Sequence, residues 1–224
     1  MKKEIFYAAD GYRMNFEVYT PDSFEQNLPM IVFLHGAGER GRNIEHLARH
    51  AIPRMLENGA QLPAVVLCPQ CPADCVWDNV PFDVKEIIDF AAARYFADPS
   101  RISLTGCSMG GFGTWAVGMA FPAFFCALAP VAGGGLSWRT PNLVKTPVHA
   151  WHGDSDTAVP PVYAELIVNS LLAAGGDAQL TLLPGRGHND GINEAYESWG
   201  IVQWLLAQRR TDFTPVAEFL SEMF

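Results

Sequence analysis

"ISLTGCSMGGFGTWAV", residues 102–117, decides the fold. Four residues that read as a buried strand run into Gly106-Cys107-Ser108-Met109-Gly110, and an apolar, glycine-spaced helical stretch follows. A G-x-S-x-G pentapeptide between strand and helix places its serine on a sharp turn, where the hydroxyl is exposed and the glycines let neighbouring backbone crowd in. The helix beginning there offers unpaired N–H groups to a developing negative charge. Ser108 is therefore the candidate nucleophile.

The same strand-then-helix alternation extends in both directions. "MIVFLHG" (30–36), "AVVLCPQ" (64–70), "CALAPVAGG" (126–134), "VHAWHGD" (148–154) and "QLTLLPG" (179–185) are short apolar runs ending at glycine or proline, the pattern of strands buried on both faces. Helical periodicity falls at about residues 43–58, 83–96, 111–121, 161–174 and 193–209. Before them, residues 3–20 read as two antiparallel strands turned at Asp10-Gly11. These units predict an α/β fold, a doubly wound and mainly parallel sheet with helices on both faces. With no internal repeat or long linker, residues 1–224 are expected to form one domain.

Functional groups in such sheets gather beyond the carboxyl ends of the strands. "HGAGERG" (35–41), "CPQCPADC" (68–75), "GCSMGG" (106–111), "HGDSD" (152–156) and "GRGHND" (185–190) all share that address. A nucleophilic serine needs an imidazole base held by a carboxylate, in this architecture in the chain order Ser, acid, His. Of six histidines only His188 follows the last strand. Asp154 and Asp156 both end a core strand; Asp156, further out on its turn, is favoured as the acid, and Asp154 is expected to bind backbone N–H groups of its own loop. His149 and His152 read as structural. The oxyanion donors are expected from the backbone N–H of Met109 and, in the loop after the first core strand, of Ala37. His35, Glu39 and Arg40 either brace that loop or, for the last two, form a solvated ion pair.

With "HGAGERG", "GCSMGG", "HGDSDTAVP" and Gly187-His188 in this order, the chain resembles the α/β-hydrolases of the phospholipase/carboxylesterase branch, which includes acyl-protein thioesterase-like, dienelactone hydrolase-like and prolyl-oligopeptidase-like esterases. The resemblance spans about residues 25–210. It implies a serine carboxylesterase acting on small or medium acyl groups with no cofactor, with a peptidase, a thioesterase or a catalytically silent binding protein as alternatives. Serine rather than cysteine as nucleophile departs from dienelactone hydrolases proper, and the insertion that forms a lid in true lipases is missing. The resemblance also implies that the proline-studded loop from Cys71 to Trp77 lines the substrate pocket.

Composition restricts the alternatives. The chain has 224 residues, 49% hydrophobic and 17% charged, enough to bury a sizeable core. A net charge of −9 disfavours nucleic acid and anionic lipid as partners. The N-terminus MKKEIFYAADGYRM lacks the apolar stretch of a signal peptide, and five cysteines, an odd count, argue against a disulfide framework, so a cytoplasmic setting is expected. Three of those cysteines fall in "CPQCPADC", but a fourth metal ligand of suitable spacing is missing, so no metal is expected there. The end of the chain, 211–224, places Phe213, Val216, Phe219, Leu220 and Met223 on one helical side, an apolar stripe expected to pack on the protein's own body or on a second copy as a homodimer.

Overall fold

The computed structural model describes residues 1–23 and 26–212. The apolar stripe expected after Asp212, and the homodimer it would support, lie outside the described residues.

Strands β1 (Lys2–Phe6) and β2 (Phe16–Thr20) form the antiparallel pair at the start, though their connection is longer than a tight hairpin. It contains a 3-10 turn, Ala8–Asp10, ended by Gly11 at φ 98°, a left-handed conformation that glycine adopts without strain. The parallel strands are β3 (Leu28–Leu34), β4 (Val65–Pro69), β5 (Ala97–Cys107), β6 (Ala127–Val131), β7 (Val148–Gly153) and β8 (Ala178–Leu183). They complete one eight-stranded sheet in the order β1-β2-β4-β3-β5-β6-β7-β8. The β3–β8 strands run parallel to their neighbours, and β2 meets β4 antiparallel.

Helices α2 (Pro81–Arg94), α3 (Met109–Ala120) and α4 (Val162–Ala173) cover one face, packing with Phe16, Trp77, Trp115 and Leu128. On the other, α1 (Ala51–Glu57), α5 (His188–Ser198) and α6 (Ile201–Ala207) pack around Ile31, Phe33, Trp151 and Tyr196. Two helical expectations need correction. Only the second half of 43–58 is α-helical, because Ile44–Arg49 winds as a 3-10 helix. The stretch 193–209 belongs to two helices, since Gly200 at φ 73° ends the first by turning left-handed.

The strand order changes direction at β3, which has β4 on one side and β5 on the other. A crevice opens at such a switch point, beyond the carboxyl ends of β3 and β5. The backbones there approach closely. A Cβ on Gly106 would stand 2.5 Å from the Gly110 carbonyl oxygen and 2.6 Å from that of Leu34. One turn along α3, a Cβ on Gly113 would meet the Trp77 Cβ at 2.5 Å. That missing side chain is the space into which the fully buried indole of Trp77 fits.

Gly113→Ala should therefore destabilise the protein by about 1–3 kcal/mol, the usual cost of overpacking a filled core. Urea unfolding measures this; stability equal to the parent would mean that Trp77 moves aside freely.

Candidate active site

Ser108 lies between β5 and α3 with φ 55° and ψ −119°, a left-handed backbone that costs a non-glycine residue roughly 1–3 kcal/mol. The turn is held by its neighbours: Ser108 N–H donates to the Val131 carbonyl at 3.0 Å, and Phe112 N–H donates to the Ser108 carbonyl at 3.1 Å. Any side chain at Gly110 would run into the Leu34 carbonyl.

His188 begins α5 and points at this hydroxyl, its Nε2 2.9 Å from Ser108 Oγ. Its Nδ1 lies 2.6 Å from Asp156 Oδ2. The other oxygen of Asp156 accepts from the N–H groups of Ala158 (2.9 Å) and Val159 (2.8 Å), so a buried carboxylate is held at both ends. A carboxylate can only accept, so Nδ1 carries the imidazole proton and Nε2 turns a lone pair toward Ser108. The structure thus joins Ser108, His188 and Asp156 in one hydrogen-bonded chain. Asp154 is bonded elsewhere: its Oδ1 accepts from Gly185 N–H and Ser155 Oγ, both at 2.8 Å, tying the end of β7 to the loop before α5.

Above Ser108 runs the loop after β3. Gly36 is extended, and Ala37 opens the 3-10 turn Ala37–Glu39, so the Ala37 N–H has no acceptor within that turn. Met109 opens α3 in the same sense. Three groups fix the loop. Arg40 Nε donates to the Ala37 carbonyl at 3.1 Å while its Nη1 reaches the Cys75 carbonyl at 3.3 Å, and Arg49 Nη1 donates to the Gly38 carbonyl at 3.1 Å. His35 is the third. Its Nε2 accepts from Cys71 N–H at 2.9 Å, so its Nδ1 bears the hydrogen and donates to the Gly36 carbonyl at 2.6 Å. Burial pushes the His35 pKa down to about 4, which keeps this ring neutral.

Trp77 and Cys71 require correction as pocket residues. Both are fully buried, and neither surfaces in the cleft. The Trp77 indole N–H donates to the His35 carbonyl at 2.9 Å, and its ring packs edge-on against that imidazole at 5.0 Å. Together they anchor His35, and through it the loop. Burial pushes the Cys71 thiol up to about 12 and raises Cys68 and Cys107 as well, so none of the three is a thiolate at neutral pH. All five cysteines are free. Among the described residues, no group of three or more His, Cys, Asp or Glu is placed to hold a metal ion. The rest of the "CPQCPADC" loop, Pro72, Ala73 and Asp74, instead borders a cavity of about 760 Å³ shared with Tyr7, Arg13 and Arg42.

One part near the nucleophile was not singled out in the sequence. Phe112 follows Ser108 by one helical turn and pairs with exposed Tyr163 of α4 at 6.0 Å between ring centres, beside the side-chain-free run Gly133–Gly135. The four-residue spacing on a helix was the available signal for Phe112. His152 lies fully buried with its Nε2 donating to the Val159 carbonyl at 2.8 Å, against the turn that holds Asp156.

The architecture is shared with solved enzymes. A thermostable esterase superposes with a TM-score of 0.80 at 28% identity, over 93% of this chain and 63% of that one. The chain has the α/β-hydrolase fold. The feruloyl esterase module from Clostridium thermocellum shares this α/β-hydrolase architecture at a TM-score of 0.71 and 16% identity, over 96% of this chain and 90% of that module. In sequence, the α/β-hydrolase chain is 26% identical over 188 residues to poly(3-hydroxyalkanoate) depolymerase C of Paucimonas lemoignei. That alignment spans 64% of this chain but only 44% of the depolymerase, and no family model matches. No helix among the described residues is long and apolar enough to cross a membrane.

The buried histidines make stability depend on pH. With its folded pKa near 4, His35 takes up a proton on unfolding at any pH between that value and the ordinary value of 6.5. Its contribution, up to about 3 kcal/mol, is present above pH 6.5 and is lost as pH falls toward 4. Burial lowers His149 and His152 in the same sense. Urea midpoints should fall across this window, and less steeply for His35→Gln, which is less stable at every pH; parallel curves would contradict the assignment.

Proposed function

We propose that this protein is a serine hydrolase of carboxylic esters, with small or medium acyl groups as its substrate class. The observation that carries the reading is the continuous chain from Asp156 Oδ2 through His188 to Ser108 Oγ, with contacts of 2.6 and 2.9 Å, ending at a strained turn. His188 Nε2 takes the hydroxyl proton as Ser108 attacks the ester carbonyl. The Ala37 and Met109 N–H groups receive the oxyanion, a donor of this kind being worth about 3 kcal/mol. His188 then returns the proton to the departing alcohol, and a water activated by the same imidazole releases the acid from Ser108. Asp156 keeps the reactive tautomer throughout.

The esterase and polyester depolymerase among the relatives support ester chemistry. Phe112, one helical turn from Ser108 and paired with Tyr163, offers an apolar surface that suits a short acyl chain. The chain needs no cofactor for this scheme, one domain carries it, and five free thiols fit a reducing, cytoplasmic setting.

A fluorophosphonate should label Ser108, and Ser108→Ala should lose both labelling and hydrolysis of p-nitrophenyl esters; substantial turnover in that variant contradicts the scheme. Asp156→Asn should lower kcat by roughly 10³–10⁴-fold with the fold retained, because the other imidazole tautomer is then favoured. Asp154→Asn should lower thermal stability more than turnover. An exchange of these two phenotypes would make Asp154 the acid.

A further inference from the structure

Glu39 takes no part in the proposed scheme, yet it is a buried carboxylate close to the nucleophile turn. Its side chain is only 6% exposed, and among the described residues no donor lies within hydrogen-bonding distance of it. The nearest nitrogens are His35 Nδ1 and His50 Nε2, each 3.8 Å away. The first already donates to the Gly36 carbonyl. The second belongs to a ring whose Nδ1 faces the Asn193 side-chain oxygen at 3.4 Å. Glu39 Oε1 and His50 Nε2 thus face each other across a gap too wide for a hydrogen bond. A buried carboxylate without donors is costly, and a donor arriving from outside relieves that cost.

The carboxylate also lies close to the nucleophile turn. Glu39 Oε2 lies 3.2 Å from the point where Gly36 would carry a Cβ, and the Ser108 Cβ lies 3.6 Å from the same point. Glycine at 36 leaves the space between carboxylate and nucleophile clear. His50 and Asn193 connect Glu39 to α5, the helix that begins with His188, and His188 must hand its proton to the leaving alcohol. The apolar wall of Phe112 and Tyr163 belongs to α3 and α4, on the opposite face of the sheet.

We propose that Glu39 is a specificity-determining residue that accepts a hydrogen bond from a donor group, hydroxyl or ammonium, on the alcohol half of the ester. The favoured substrates are then esters of polyols or amino alcohols. The inference rests on the serine-esterase reading, which fluorophosphonate labelling of Ser108 checks separately.

Four esters of one acid test it: 2-hydroxyethyl, 2-aminoethyl, 2-methoxyethyl and n-propyl. The wild type should show kcat/KM at least about tenfold higher for one or both donor-bearing alcohols than for the methoxy and propyl esters, since a site built for a donor discriminates against its absence. The ratio between the two donor esters identifies hydroxyl or ammonium. In Glu39→Leu the preference should shrink to about twofold or less, and Glu39→Met, which keeps a similar length without a strong acceptor, serves if the leucine variant does not fold. A loosened loop slows all four esters alike, so the ratio reports recognition rather than scaffolding. A wild type indifferent to the donor, a preference that survives in the variants, or one that arises only when the donor is moved to the acyl half would overturn the proposal.

Discussion

The backbone of Ser108 is the constraint on which the rest of the structure depends. A serine at φ 55° persists only where its surroundings leave no alternative, and here they come from three strands. The Leu34 carbonyl at the end of β3 crowds Gly106 and Gly110, while the Val131 carbonyl at the end of β6 accepts the Ser108 N–H. Sheet order makes this possible, because β5, which carries the turn, lies between β3 and β6. The same closeness that strains the turn lifts the hydroxyl out of the sheet and leaves the first N–H of α3 unspent.

Around that turn the site is assembled from parts far apart in the chain, each with its own support. The histidine is oriented by a carboxylate whose second oxygen is occupied by backbone N–H groups. The loop over the serine is fixed from the solvent side by two arginines and from the core side by His35. That imidazole is in turn held by the Cys71 N–H and set against Trp77, whose indole fills the space below α3. The two sides differ in kind. The arginine contacts reach water, whereas the His35 contacts are dry, and bonds made in a dry interior are the costlier ones to break.

What could be read in the sequence follows from this distinction. Glycines at 106 and 110 are forced by backbone crowding, so the turn announces itself in the residues. The order of Ser108, Asp156 and His188 follows from strands ending on one edge, which alternation of apolar runs and helices reveals. Trp77 was misplaced because its depth depends on the gap at Gly113, some 36 positions further along the chain, which no local pattern displays. The His50–Asn193 contact, 143 residues apart, was invisible for the same reason. The longest helical stretch concealed a break because Gly200 sits inside a run whose apolar spacing continues on both sides.

That break has a mechanical consequence. Had 188–207 formed one rod, the imidazole would sit at the end of a lever reaching to the last described segment, where Arg210 is clamped to the Phe125 carbonyl. The left-handed bend at Gly200 interrupts the rod, so the Arg210 clamp holds α6 rather than the helix that carries His188.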